Sequence, residues 1–422
     1  MSEPGSATDG AHWITDRLWP GSTLTSERRR GAAARYVAVP NAAAPTQLLP
    51  AAWTSVVAVG SRPSDDRPRA KALRDALGIA ALVATAPFDR RRRVSVTGDP
   101  ASSLVAHLRA EIDPAIHDAV VLCGPARANR KPVLQLHDRR GRTVAYAKVA
   151  WNELTRSLLA HERDALAHLA TRVGSDLQVP RVLGAGRFGD ADWLAIGPVG
   201  VTRRSAPSDA TAFSMARTIE RTADEWRGPA AENPFVRRLV ASSAGLARSS
   251  GIVDAFAKDH ATGDLVLRAA HGDFVPWNTL SGEPAPAIWD WERYEQHAPV
   301  GFDRFHHVFQ TSIFRRGMAV GAAIAHLDAR LGEIVPELGD LARLHLDGYL
   351  AHLLCRYERD AQPATAPPAP NGSSPSTTPP TEHADPPTDR ADTPIGVVSP
   401  NPSLMARVAD MATVLEQRRS RQ

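Results

Sequence analysis

The chain has 422 residues, 43% of them apolar, with 50 Lys and Arg against 46 Asp and Glu for a formal net charge of +4. That length allows two or three domains, each with a core. The basic residues are dispersed or lie in short runs (28–30, 90–93) without interleaved aromatics, which argues against a nucleic-acid partner. Two cysteines, Cys123 and Cys355, are too few for a disulfide framework or a zinc site and fit a reducing cytoplasm. No apolar stretch reaches the roughly eighteen residues of a membrane span, and the N-terminus lacks the charged start and apolar core of a signal peptide.

Residues 1–34 are polar apart from Trp13, Ile14, Leu18 and Trp19 and read as a flexible lead that docks those side chains. From 35 to 114, short apolar runs (36–39, 56–59, 80–83, 94–96) alternate with helical patterns (67–77, 101–112), which predicts an α/β extension without a chemical motif. Two β-like runs within 120–136 flank a basic turn with a single glycine, Gly124. Residues 143–149 alternate as a strand around one lysine, Lys148. The stretch 152–169 sets Leu154, Leu158, Leu159, Leu166 and Leu169 on one helical face, with Glu162 inside it. Glu153, at the helix start, is explained by the helix dipole alone. Residues 193–199 read as a buried strand running into a break.

Further on, 210–226 and 234–246 read as amphipathic helices, and 302–331 and 334–357 carry apolar residues at helical spacing. Residues 361–402 are dominated by Pro, Thr, Ser and Ala and read as a disordered linker, unable to bury enough apolar surface to offset ordering entropy. In 403–422, Leu404, Val408, Met411, Val414 and Leu415 form one face of an amphipathic helix. That helix is expected to dock in cis or on an unknown protein.

The chemistry is concentrated in His271-Gly272-Asp273-Phe274-Val275-Pro276-Trp277-Asn278 and in Ala287-Ile288-Trp289-Asp290-Trp291-Glu292. A β-hairpin through these segments presents two carboxylates and an amide at one mouth. Phosphoryl transfer from a nucleotide needs that set. A carboxylate orients the attacking hydroxyl and takes its proton, while an amide oxygen and a second carboxylate hold Mg²⁺. The five-residue step from Asp273 to Asn278 matches the catalytic loop of kinases.

These motifs resemble the aminoglycoside phosphotransferase and choline kinase superfamily, a branch of the protein-kinase-like fold. The resemblance implies an α+β, two-lobed molecule, with a small β-rich lobe over 115–200 and a larger helical lobe over 201–360. It implies that Asp273 is catalytic, that Asn278 and Asp290 bind Mg²⁺, and that Lys148, steadied by Glu162, holds the phosphates of ATP. His271 would support the loop. The basic turn would cover the nucleotide, with Arg127, Arg130 or Lys131 reaching phosphate oxygens, although the glycine-rich pattern of kinases is missing there. Residues 193–199 would supply the hinge that meets the adenine.

The function so implied is transfer of the γ-phosphate to a hydroxyl of a small molecule such as a sugar or amino alcohol. An antibiotic kinase and a nucleotide-binding pseudokinase are the alternatives. Acids and bases are balanced over the helical stretches within 302–357, where a polycationic aminoglycoside would call for acid excess. A pseudokinase would have no need of Asp273. A protein-substrate kinase is weaker still, because no Ala-Pro-Glu segment follows Asp290.

Overall fold

The computed structural model describes residues 9–27, 32, 34–60, 69–85, 88–123, 131–361 and 402–420. The first part of the chain runs α1 (Asp9–Leu18), β1 (Thr23–Thr25), β2 (Ala34–Val39), β3 (Gln47–Pro50), α2 (Thr54–Gly60), α3 (Arg69–Thr85), β4 (Arg93–Thr97) and α4 (Leu104–Glu111). It continues as β5 (Asp118–Leu122), β6 (Val133–His137), β7 (Thr143–Ala150), α5 (Glu153–Leu169), β8 (Val182–Phe188) and β9 (Ala191–Ile196).

All nine strands join one antiparallel sheet in the order β1-β4-β2-β3-β5-β6-β7-β9-β8. Strand alternation sorts its residues to two faces. Tyr36, Ala38, Leu48 and Val121 pack with Ile14, Leu18, Leu104 and Leu108 of α1 and α4, while Val37, Leu49 and Val120 pack with Ala58 and Val59 of α2.

The extension lengthens the sheet of the small lobe, because Gln47 and Leu48 of β3 pair with Leu122 and Val121 of β5. Two expectations change here. The apolar runs 56–59 and 80–83 are helical, within α2 and α3. The lead is not a loose segment throughout: α1 and β1 form within it, and Ile14 and Leu18, one helical turn apart, are fully buried.

The second lobe is mostly helical. It begins with β10 (Thr202–Ser205), α6 (Asp209–Glu220), β11 (Trp226–Pro229), α7 (Pro234–Ser243), α8 (Ser249–Asp259) and β12 (Asp264–Ala270). The hairpin β13 (Thr279–Glu283) and β14 (Ala287–Ile288) follows, then β15 (Glu295–Pro299), α9 (Phe302–Phe314), α10 (Val320–Ala329), α11 (Leu331–Ile334) and α12 (Ala342–Ala361). The helix expected over 210–226 stops at Glu220, and Trp226 instead pairs with Leu267 in a small β11-β12-β15 sheet. The pattern over 302–331 is broken between α9 and α10, where Gly317 takes a left-handed φ of 65°.

The core of this lobe gathers Phe235, Phe256, Leu265, Phe305, Tyr349 and Leu354. α13 (Pro402–Arg419) lies on it, with Val408 and Met411 fully buried and Arg418 paired to Asp328 and, at 2.9 Å, to Asp347. The residues expected to form the linker, 362–401, lie outside the described residues. The described residues thus form an α+β molecule with a sheet-rich first part and a mostly helical second part. No helix among the described residues is long and apolar enough to cross a membrane.

Candidate active site

β12 leads into the 271–278 loop, and β13 and β14 return the chain to Asp290. Two backbone features hold this turn. Gly272 has a φ of 79°, and a Cβ built on it would lie 2.0 Å from the Arg293 carbonyl oxygen, so only glycine lets the two segments approach this closely. Asp290 has a φ of 72°, the one left-handed non-glycine among the described residues. Backbone strain of this kind persists where the surroundings over-determine the conformation, and it concentrates at functional sites.

His271 ties the two segments together. Its ring Nε2 donates to the Trp289 carbonyl at 3.1 Å, and its Nδ1 accepts the Asp273 backbone N–H at 3.2 Å. That pairing fixes a neutral tautomer, and burial pushes the imidazole pKa down to about 4. Beneath the loop, Asp303 accepts the backbone N–H groups of His271 at 2.7 Å and Gly272 at 3.0 Å. Burial raises the Asp303 carboxyl to about 7 despite those two bonds.

Asp273 is held from both sides. Its Oδ1 accepts from Arg356 at 2.7 Å and lies 3.3 Å from His306 Nε2; its Oδ2 accepts from Asn278 Nδ2 at 3.3 Å. An ionised carboxylate has about four lone-pair sites, so Oδ2 keeps a place for another donor. The side chain is 22% exposed, enough for a ligand to reach it. Burial opposes ionisation, but the Arg356 guanidinium and His306 hold the carboxyl well below its usual range.

Across from it, Lys148 on β7 lies 2.7 Å from the Glu162 carboxylate of α5 and 2.5 Å from Asp290 Oδ1. Asn152 caps α5 by accepting the Thr155 N–H, which fixes the start of the helix that carries Glu162. Burial works against the Lys148 charge, yet Asp290 and Glu162 raise its pKa, and Lys148 in turn lowers that of Asp290. Glu153, the rival for the lysine, stands in the exposed first turn of α5.

Beside this group lies a cavity of about 290 Å³ lined by Leu122, Tyr146, Lys148, Ile196, Asn278 and Asp290. The 197–199 segment expected as the hinge also borders it. An apolar slot with a cation and two oxygen donors at one end suits a nucleoside polyphosphate.

Of the basic residues of the turn expected at the phosphates, Lys131 alone is among the described residues. Lys131 pairs with Glu292, and burial, followed by the Lys148 charge, lowers its pKa to about 8. Arg127 and Arg130 lie outside the described residues. Several residues of the site were not expected at all. Glu292 stands in the printed motif, and its carboxylate joins those of Asp290 and Glu162 within 4.8 Å of one another. Asp303, His306 and Arg356 arrive from α9 and α12, and nothing in their local sequence marks them.

No protein-family model matches the chain, and no curated protein matches it. Among solved structures, an aminoglycoside phosphotransferase complexed with ADP and hygromycin B is similar over 61% of this chain and 92% of its own, at 15% identity and a TM-score of 0.38. For an aminoglycoside phosphotransferase of Alicyclobacillus acidocaldarius the values are 74%, 92%, 13% and 0.34. For one of Streptomyces rimosus, in complex with ADP and streptomycin, they are 52%, 90%, 19% and 0.32. Similarity this distant has no bearing on the reaction, which has to be read from the side chains.

Proposed function

We propose that the protein is an ATP- and Mg²⁺-dependent phosphotransferase that moves the γ-phosphate to a hydroxyl of a small molecule. The observation that carries this reading is the convergence of Asp273, Asn278 and Asp290 opposite the Lys148–Glu162 pair, beside one cavity. Asp273 orients the acceptor hydroxyl through the free site on Oδ2 and takes its proton late in transfer. A carboxylate with so low a pKa is a weak base, which suits a loose transition state in which positioning matters more than proton removal. Lys148 steadies the phosphates, and Glu162 keeps its ammonium in place.

The donors at this end are all oxygens, the preference of a hard cation such as Mg²⁺. Asp290 and Asn278 would hold it, with Glu292 as a further carboxylate within reach. When bound, the metal would neutralise charge on the phosphates. Both cysteines are free and buried, which suits a reducing, cytoplasmic setting.

The test is a screen of a metabolite mixture with purified protein and Mg-ATP, read by mass spectrometry for phosphorylated products. The wild type should yield a product that Asp273→Ala does not, while Asp273→Ala keeps its nucleotide-dependent rise in melting temperature. Equal turnover by both proteins would overturn the role given to Asp273.

A further inference from the structure

A second cavity, about 260 Å³, has Gly272 of the catalytic loop in its wall, together with Glu292 and Arg293, the residues that follow Asp290. Four arginines line it: Arg238 from α7, Arg293, and Arg356 and Arg359 from α12. The two glutamates in the same wall already have cations of their own. Glu295 pairs with Arg238 at 3.2 Å, and Glu292 pairs with Lys131.

Three guanidiniums remain, and two carboxylates face them. Asp360 lies 3.5 Å from Arg293 and 3.9 Å from Arg356, and Asp273 takes Arg356 at 2.7 Å. Among the described residues Arg359 makes no ion pair. The Nε of Arg356 is buried without a hydrogen-bond partner, a donor left over in a site where buried donors are normally used. The excess charge is felt by its neighbours. Burial and then Arg356 lower the pKa of Arg293, and burial followed by Arg356, Arg359 and Arg293 pushes His352 down to about 3. His352 therefore stays neutral and adds no charge. Planar guanidinium forks recognise carboxylate and phosphate oxygens in pairs.

We propose that this cavity binds an oxyanion, a carboxylate or phosphate group of a small molecule, against Arg293, Arg356 and Arg359. Arg356 also grips Asp273, so the anion would sit one side chain from the group that orients the acceptor. Two sources share this chemistry: an acidic group on the acceptor itself, or a separate small anion that sets the Arg356–Asp273 contact. The first rests on the phosphotransferase reading; the anion site itself does not.

The test titrates the full chain with inorganic phosphate by calorimetry at constant ionic strength, using wild type, Arg359→Gln and Arg293→Gln. Arg359 is exposed, so its replacement should leave folding intact, and an unchanged nucleotide-dependent melting shift is the check for both variants. Saturable binding to wild type, weakened at least tenfold in each variant, is the expected result. No saturable binding to wild type, or equal binding to wild type and Arg359→Gln, would overturn the proposal and place any bound phosphate elsewhere. With an acceptor in hand, phosphate that raises its KM and leaves kcat unchanged identifies the acceptor's own anion as the occupant. Phosphate that changes kcat at saturating acceptor identifies a separate anion. Phosphate binding without any phosphorylated product would sink the kinase reading and leave this site standing.

Discussion

The two cavities that border the catalytic loop are close in size, about 290 and 260 Å³, and opposite in chemistry. The first is largely apolar and keeps its charges at one end, where Lys148 meets two carboxylates, Glu162 and Asp290. The other is lined by arginines that outnumber the carboxylates facing them. A buried charge without its counter-charge is costly. The first cavity thus reads as a seat completed by a cation, and the second as one completed by an anion.

Substitutions can break or sharpen that contrast. The largest effect is expected at the carboxylate between the two cavities. Asp273→Asn should lower kcat by about 10²–10⁴, the usual share of a positioned base, with nucleotide affinity retained in equilibrium titration. Next is Lys148→Met, which leaves the buried Glu162 and the half-buried Asp290 without their cation. It should cost about 3–5 kcal/mol of stability, seen as a lower urea midpoint, and abolish nucleotide binding. Arg359→Gln should do neither, and a comparable loss of stability there would erase the distinction between a buried, paired cation and an exposed one.

Gly272→Ala should follow, at about 3 kcal/mol. The added methyl would force the catalytic loop from Arg293, and both the urea midpoint and kcat should fall. Smallest is a pH effect away from both cavities. His345 is fully buried, with its Nδ1 donating to Val300 O at 3.1 Å and its Nε2 accepting from Val266 N. Burial lowers its pKa from 6.5 to about 4. A base depressed in this way gives stability that is complete above its unfolded pKa and lost as pH falls through the folded one. The urea midpoint should therefore decline between pH 6.5 and about 4, and His345→Gln should flatten that decline.

The convergence of Asp273, Asn278 and Asp290 could be read from sequence because they lie on two short segments at fixed spacing, so local order alone brings them together. Lys148 and Glu162 were readable for a related reason: a strand and the helix after it leave few ways for a lysine and a glutamate to meet. Asp303, His306 and Arg356 were not, because they reach the loop from α9 and α12 across as many as 84 residues of chain. The balance of charge over 302–357 also concealed the arginine cleft, which exists only once α7, α12 and the segment after Asp290 are folded together. In the extension, runs such as 56–59 and 80–83 are too short for apolar pattern alone to tell strand from helix. The alanines around 80–84 favour helix, and the helix formed.

The pairing of β3 with β5 makes the first hundred residues a shield as well as an addition. Without them, β5 would present a raw border of unsatisfied amides and carbonyls next to Val120 and Val121, both fully buried in the intact chain. Such a border templates further strands from neighbouring copies. A fragment beginning near Asp118 would keep Asp273, Asn278 and Asp290 and still be prone to clump, so the part of the molecule that carries the proposed site is not separable from the part that precedes it.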